Sequence, residues 1–158
     1  MSEIFQWSDE FSVGIPEIDI QHKALFDLGN LLNDAIRSRR GSAACLDILR
    51  QLVDYTRIHF ALEESLMRVA NYRGFDDHKA LHVQLIDEVE VLQQKVEAGK
   101  AAISFELLQF LRLWLTKHIM NSDQEYAGHF RSKGFKDFGA WNEEVKTTMK
   151  KRQWWKFW

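Results

Sequence analysis

Apolar residues recur at intervals of three and four along four long stretches of this chain, the spacing that lines one face of an α-helix. Glycine or a capping residue stands at the ends of these stretches, most clearly at Gly41, Gly99 and Ser104. The predicted helices cover about residues 18–40, 42–73, 76–98 and 104–128, the third capped by Asp76 or Asp77. Because the connections are short, we expect an all-α fold, an antiparallel up-down-up-down four-helix bundle.

Both ends of the chain depart from this pattern. Residues 1–18 carry aromatic side chains together with the helix breakers Gly14 and Pro16, and we expect an extended N-terminal arm that packs over the end of the bundle. Residues 131–158 begin with a helical stripe and finish in a run of aromatic and basic residues. The sequence predicts one domain over residues 1–130, followed by an extra C-terminal helical tail over residues 131–158.

Composition supports one helical domain. The chain has 158 residues, 46% of them hydrophobic, and a single proline, which suits one core built from long helices. Cys45 is the only cysteine, so neither an internal disulfide nor a thiolate metal cluster can form. The first ten residues do not resemble a secretory signal, and no stretch has the roughly 20 apolar residues that span a bilayer. We expect a cytoplasmic protein.

Charge is distributed unevenly. The formal net charge is −2, but residues 131–158 hold eight basic and three acidic residues, which leaves thirteen basic and twenty acidic residues in the rest. The acidic body argues against nucleic-acid binding. The tail mixes cations with Trp154, Trp155, Phe157 and Trp158, a combination that favours lipid interfaces. A peripheral membrane or protein partner is one hypothesis; packing on the bundle or on a second subunit, and disorder, are the alternatives.

Histidines and carboxylates recur within all four predicted helices. Five of the six histidines, one glutamate and one aspartate form this set: His22, His59, Glu63, His78, His82, His118 and Asp123. Side chains four residues apart project from the same face of a helix, so the second and third helices each contribute two inward side chains. Imidazoles and carboxylates from several helices can converge on metal in the core of a bundle.

The pair His118 and Asp123 is spaced by five residues, which a regular helix rotates by about 140°. An ordinary amphipathic core uses intervals of three and four, so this interval indicates a special role. We expect His118 to bind metal from the side and Asp123 to reach the centre from above, helped by a loosened last turn.

Five imidazoles and two carboxylates are too many for one tetrahedral zinc ion, which takes four ligands. Two metal ions are therefore implied. If both carboxylates bridge, one ion takes three histidines and the other takes two, so that a shared hydroxide or oxide leaves the second ion an open position. Nitrogen-rich ligation with an open position suits iron, and copper or manganese also match these ligand types.

Four segments resemble the signatures of the hemerythrin family, in order and with all seven ligand positions filled. They are DIQHK (residues 19–23), HFALEE (59–64), HKALH (78–82) and WLTKHIMNSD (114–123). The similarity covers roughly residues 5–130. Trp7 and the segment GIPEID at 14–19 resemble the bacterial single-domain members, the bacteriohemerythrins.

The resemblance implies a non-haem centre of two iron ions, bridged by an oxo or hydroxo group, that binds O2 reversibly. It implies three ligand sets: His78, His82 and His118 on the saturated iron, His22 and His59 on the open iron, and Glu63 and Asp123 as bridges. Apolar neighbours would line the O2 pocket and keep protons away, and the candidates are Phe60, Leu115 and Ile119.

Three functions are compatible with such a centre. The first is O2 storage, transport or delivery without catalysis, the second a di-iron oxidase or peroxidase, and the third a sensor of oxygen, iron or nitric oxide. Ferritin-like oxidases use four carboxylates with two histidines, and hard oxygen ligands stabilise highly oxidised iron better. Five imidazoles therefore favour O2 binding, and the lack of a recognisable signalling domain counts against the sensor.

Four further residues near this set are expected to be structural. Glu64 is rotated by about 100° from Glu63 and is expected to face solvent. Trp114 and Tyr126 are expected to pack around the centre as core aromatics. His129 is expected to cap a helix end, although it lies near the same helix face as His118.

Overall fold

The computed structural model describes residues 4–39, 41–99 and 105–133. Its main elements are α1 (Pro16–Arg37), α2 (Ser42–Val69), α3 (Phe75–Glu97), α4 (Phe105–His118), a π-helical turn (Ile119–Asp123) and α5 (Gln124–Lys133). A 3-10 turn over Asp9–Phe11 precedes them. The last three main elements follow one another without a break, so the predicted four-helix bundle is confirmed. Residues 131–133 of the predicted C-terminal tail belong to α5, whereas residues 134–158 and the predicted cap Ser104 lie outside the described residues.

The helix ends follow local chemistry. Pro16 stands at the start of α1, where a fixed φ angle and a missing N–H cost nothing. Gly41 precedes α2 and Gly99 follows α3, both with a positive φ that other residues rarely adopt. The predicted cap of α3 was wrong. Gly74 is the N-cap, and Asp76 and Asp77 lie in the first turn, where their charges favour the helix dipole.

The hydrophobic core lies between the helices. Helix α1 packs on α2, α2 on α3, and α1 on α4, as in an antiparallel bundle. Its largest fully buried apolar side chains include Ile18, Leu25, Leu28, Leu32, Leu49, Leu66 and Leu108. Each such side chain contributes roughly 1.5–3 kcal/mol when it leaves water. This packing holds α1 to α4 in the fixed arrangement that a multi-helix site needs.

The N-terminal arm packs along the side of α1, and the expected position over the bundle's end was wrong. The ring of Phe26 lies between those of Phe5 and Phe11, at centroid distances of 5.6 and 5.2 Å. Phe5 exchanges two hydrogen bonds with the Asn30 side chain, of 3.0 and 2.8 Å. Gly29 leaves room for the Phe5 ring, which any Cβ at that position would overlap.

None of the helices in the described ranges combines the length and the apolar character needed to cross a membrane.

Candidate metal centre

The seven predicted ligand side chains lie together in the middle of the bundle, all of them buried. Their candidate ligand atoms form two overlapping groups, each with all members within 4.8 Å of one another. The first group contains Glu63, His78, His82, His118 and Asp123, and the second contains His22, His59, Glu63 and Asp123. The two groups share both carboxylates, so three histidines stand on one side of the carboxylate pair and two on the other.

The π-helical turn brings His118 and Asp123 onto the same side of the chain. The extra residue of a π turn compensates for the rotation that an interval of five causes on a regular helix, and such turns are frequent at functional sites. His118 Nε2 lies 3.1 Å from Asp123 Oδ1 as a result. The expected loosening of this helix is therefore found, but in its middle and not in its last turn.

The carboxylates occupy the centre of the cluster. Asp123 lies 3.2 Å from His22 Nε2 and 3.1 Å from His78 Nε2. Glu63 approaches the same two nitrogens at 3.6 and 3.7 Å, and it also contacts His59 Nε2. Each carboxylate thus faces histidines from both groups, which is the arrangement that a bridging ligand requires.

Several polar atoms of the cluster lack hydrogen-bond partners in the described part of the chain. Both oxygens of Glu63 and of Asp123, together with Nε2 of His22, His59 and His78, are buried without a well-formed hydrogen bond among the described residues. An unpaired buried polar group costs about 1–3 kcal/mol. Imidazole nitrogen and carboxylate oxygen are ligands of transition metals, so these side chains fit metal ions at their common centre.

Protons take the place of metal charge in the metal-free protein. Burial by itself would lower the pKa of His22, but the carboxylates of Asp123 and Glu63 outweigh it and raise the pKa to about 9. The same balance raises the pKa of His78 to about 9. Burial opposes ionisation of both carboxyl groups, yet the surrounding histidines hold both pKa values below their usual range. Two imidazolium ions then neutralise two carboxylates near pH 7.

Burial dominates at His59 and His82 and lowers their pKa values, against the opposing effect of nearby carboxylates. These rings are therefore neutral near pH 7 and already in the form that binds metal.

Aromatic side chains enclose the histidines. The Phe60 ring stacks on His82 with centroids 3.7 Å apart, and the Trp114 ring stacks on His118 at 4.7 Å. Tyr126 is fully buried, with its ring 5.3 Å from that of His78. Trp114 and Tyr126 thus have the predicted role of core aromatics. The predicted pocket residues Phe60, Leu115 and Ile119 are all buried as well.

Two residues beside the cluster were missed or misjudged from the sequence. Gln21, which no spacing rule marks, is buried, and its Oε1 lies 2.6 Å from His59 Nδ1. Glu64 was expected to face solvent, but only 14% of its side chain is exposed and its Oε2 lies 3.5 Å from His82 Nδ1. The available signals were adjacency, Gln21 to His22 and Glu64 to Glu63, and the position of both residues within the segments DIQHK and HFALEE. His129 lies away from the cluster and its Nε2 donates to the Ala70 carbonyl at the end of α2.

Fold and site together define a four-helix protein with a buried cluster of histidines and carboxylates. The family model described as hemerythrin HHE cation binding domain matches residues 13–130. The chain belongs to the hemerythrin family.

Proteins named bacteriohemerythrin or hemerythrin resemble the chain over most of its length. A bacteriohemerythrin of Pseudomonas paraeruginosa is 38% identical over 125 residues, which are 79% of this chain and 80% of the relative. A bacteriohemerythrin of Methylococcus capsulatus is 36% identical over 117 residues, covering 74% and 88%. A crystal structure of wild-type hemerythrin matches with a TM-score of 0.76 at 33% identity and covers 79% of this chain and 96% of that one. Family and cluster together point to a non-haem iron site.

Metal affinity is expected to rise steeply with pH. At pH 7 a metal ion must displace protons from His22 and His78, whose pKa values are both about 9 in the metal-free protein. Each ligand group holds one of these protons. The affinity for each ion should therefore increase by up to about 10-fold per pH unit between pH 7 and 9, and the combined affinity for two ions by up to about 100-fold, levelling off above 9. Zinc, a redox-inert probe, measures this by competition with a chelator.

A His22→Gln variant is the control, because it removes one of the two protons and should reduce the slope of the combined affinity to about 10-fold per pH unit. A flat profile for the unmodified chain over this range would contradict the paired protonation of the cluster.

Proposed function

We propose that this protein binds O2 reversibly at a non-haem centre of two iron ions, for oxygen storage, transport or delivery and not for catalysis. The observation that carries the proposal is the pair of overlapping ligand groups, three histidines and two histidines about the same two carboxylates. Under the proposal His78, His82 and His118 hold one iron, His22 and His59 hold the other, and Glu63 and Asp123 bridge them, with an oxo or hydroxo group as a further bridge.

The unequal number of histidines provides the binding position. Five protein ligands and a shared bridge would complete six-coordination at one iron, whereas four protein ligands and the same bridge would leave one position open at the other. When bound, the two irons supply the O2-binding chemistry, with one electron available from each ion. The five imidazoles also distinguish this set from the carboxylate-rich sets of ferritin-like oxidases.

The side chains around the centre protect it from water and protons. Phe60 is 3% exposed, Leu115 is 9% exposed and Ile119 is fully buried. These three residues, here called the apolar wall, carry no charged or hydroxyl group. A water molecule that enters would therefore find no hydrogen-bond partner among their side chains. Exclusion of protons favours release of O2 over its further reduction, which supports a carrier and not an oxidase.

Iron analysis and optical spectroscopy test the proposal. After loading with ferrous iron under nitrogen, the chain should hold two irons, and air should produce a lasting absorption band that disappears under vacuum. His22→Gln removes a ligand from the four-residue group only, so this variant should keep about one iron and lose the oxygen-dependent band.

One iron per chain in the unmodified protein would rule out the di-iron proposal. Conversion to a ferric form within the mixing time, with no reversible band, would instead favour the oxidase or peroxidase.

The apolar wall has its own test. Ile119→Asn introduces a buried amide that can bind water beside the centre, so the oxygen-dependent band should decay to the ferric form faster than in the unmodified chain. Leu113→Asn makes a comparable change on α4 where the side chain is 63% exposed, and it should leave the decay rate unchanged. Equal decay rates in Ile119→Asn and the unmodified chain would argue against a protective role for this wall.

We further propose that residues 131–158 are an extension separate from the di-iron domain and that their aromatic and basic end binds anionic membrane surfaces. Support comes from the sequence, where Trp154, Trp155, Phe157 and Trp158 stand among lysines and arginine. A chain ending at Phe130 should load as much iron as the full chain but lose co-sedimentation with anionic lipid vesicles. Equal vesicle binding by both chains would remove the membrane proposal, and failure of the shorter chain to load iron would contradict the domain boundary.

A further inference from the structure

Two ligand histidines have their second ring nitrogen directed at side chains that are not themselves ligands. His59, in the two-histidine group, faces Gln21 at 2.6 Å. His82, in the three-histidine group, faces Glu64 at 3.5 Å. One partner is neutral and the other carries a negative charge. The two sides of the centre therefore differ in electrostatic surroundings as well as in the number of histidines.

Gln21 orients His59 without adding charge. The amide oxygen of Gln21 can only accept, so His59 Nδ1 must carry the proton and donate it. This leaves His59 Nε2 as the nitrogen with a free lone pair, and Nε2 is the atom that contacts the central Glu63. Gln21 is 1% exposed, so competition from water is negligible.

Glu64 places a carboxylate behind His82. His82 Nε2 points to the centre, where it lies 3.1 Å from His118 Nε2, and Nδ1 points the opposite way, to Glu64. The Glu64 side chain is 14% exposed, so its charge is only partly screened by water. Lys79, whose side chain is 45% exposed, approaches the other Glu64 oxygen at 4.0 Å and offsets part of this charge. A carboxylate behind a ligand imidazole makes the imidazole a stronger donor to metal.

We infer that Glu64 and Gln21 are positioning residues that make the two metal positions electrically unequal. This inference rests on the proposed di-iron function. Glu64 acts through His82 to favour the higher metal charge at the position with three histidines. Gln21 fixes the ring of His59 and leaves the two-histidine position without an added negative charge. The metal position with the open coordination site would then also be the one where nearby negative charge stabilises the ferric state less.

The competing explanation is that Glu64 serves only as a surface ion-pair partner of Lys79. The two explanations predict opposite effects of removing the lysine. Under a purely structural role, Lys79→Met and Glu64→Gln break the same pair and act in the same direction. Under our inference, Lys79→Met leaves the Glu64 charge less compensated, so its effect on the metal is opposite in sign to that of Glu64→Gln.

Reduction potentials of the iron-loaded full chain provide the first measurement. Glu64→Gln should raise the potential at which the centre is oxidised, Lys79→Met should lower it, and Glu64→Asp, which keeps the charge, should restore most of the original value. Glu88→Gln makes the same chemical change at an exposed position of α3 and is the matched control, with no expected shift. Shifts of Glu64→Gln and Lys79→Met in the same direction would overturn the inference.

Zinc binding to the metal-free full chain provides a second measurement that needs no redox chemistry. Glu64→Gln should weaken the binding of one of two zinc ions by about 10-fold or more, the effect usual for the loss of such a partner. Gln21→Glu adds a carboxylate behind His59 and should strengthen the other ion. If both variants bind two zinc ions with unchanged affinity, the inference is overturned and the di-iron proposal stands. If the unmodified chain binds a single ion, the di-iron proposal itself is refuted.

Discussion

The buried pair of carboxylates, Glu63 and Asp123, is the constraint on which the rest of the structure depends. Two negative charges without access to water are costly unless positive charge lies close by. Imidazoles from α1, α2, α3 and α4 surround the pair, and in the metal-free protein protons on His22 and His78 provide the balance. Metal ions would provide the same charge from the same place. The bundle is thus built around two carboxylates that require compensating positive charge.

This requirement explains several departures from a regular bundle. The π-helical turn between His118 and Asp123 sacrifices the usual helical hydrogen-bond pattern in order to direct both side chains inward. The aromatic rings of Phe60 and Trp114 lie flat on His82 and His118, where they hold the planes of the imidazole rings. Apolar packing between α1 and the N-terminal arm then stabilises the scaffold at a distance from the centre.

The centre is asymmetric at two levels. The number of histidines differs between the two sides, and so does the charge of the groups behind them, Glu64 on one side and Gln21 on the other. A symmetric set of ligands would give two equivalent metal positions and no preferred place for an external molecule. Under the proposed function, an asymmetric set would separate a metal position filled by protein ligands from one that can bind an external molecule.

The helices and the seven ligand candidates could be predicted from sequence, because apolar periodicity and the interval of four between His59 and Glu63 are local properties of one helix. The position of the N-terminal arm could not be predicted, because it depends on contacts of Phe5 with Gly29 and Asn30. These contacts form only when the arm folds back along α1. Nor could the π turn be located, because a helix adopts this costly form only where distant groups compensate for it. No helical spacing rule marks Gln21 or Glu64 as part of the site. Their significance arises only when α1 and α3 are packed on α2, and contacts between helices are what the linear chain leaves undetermined.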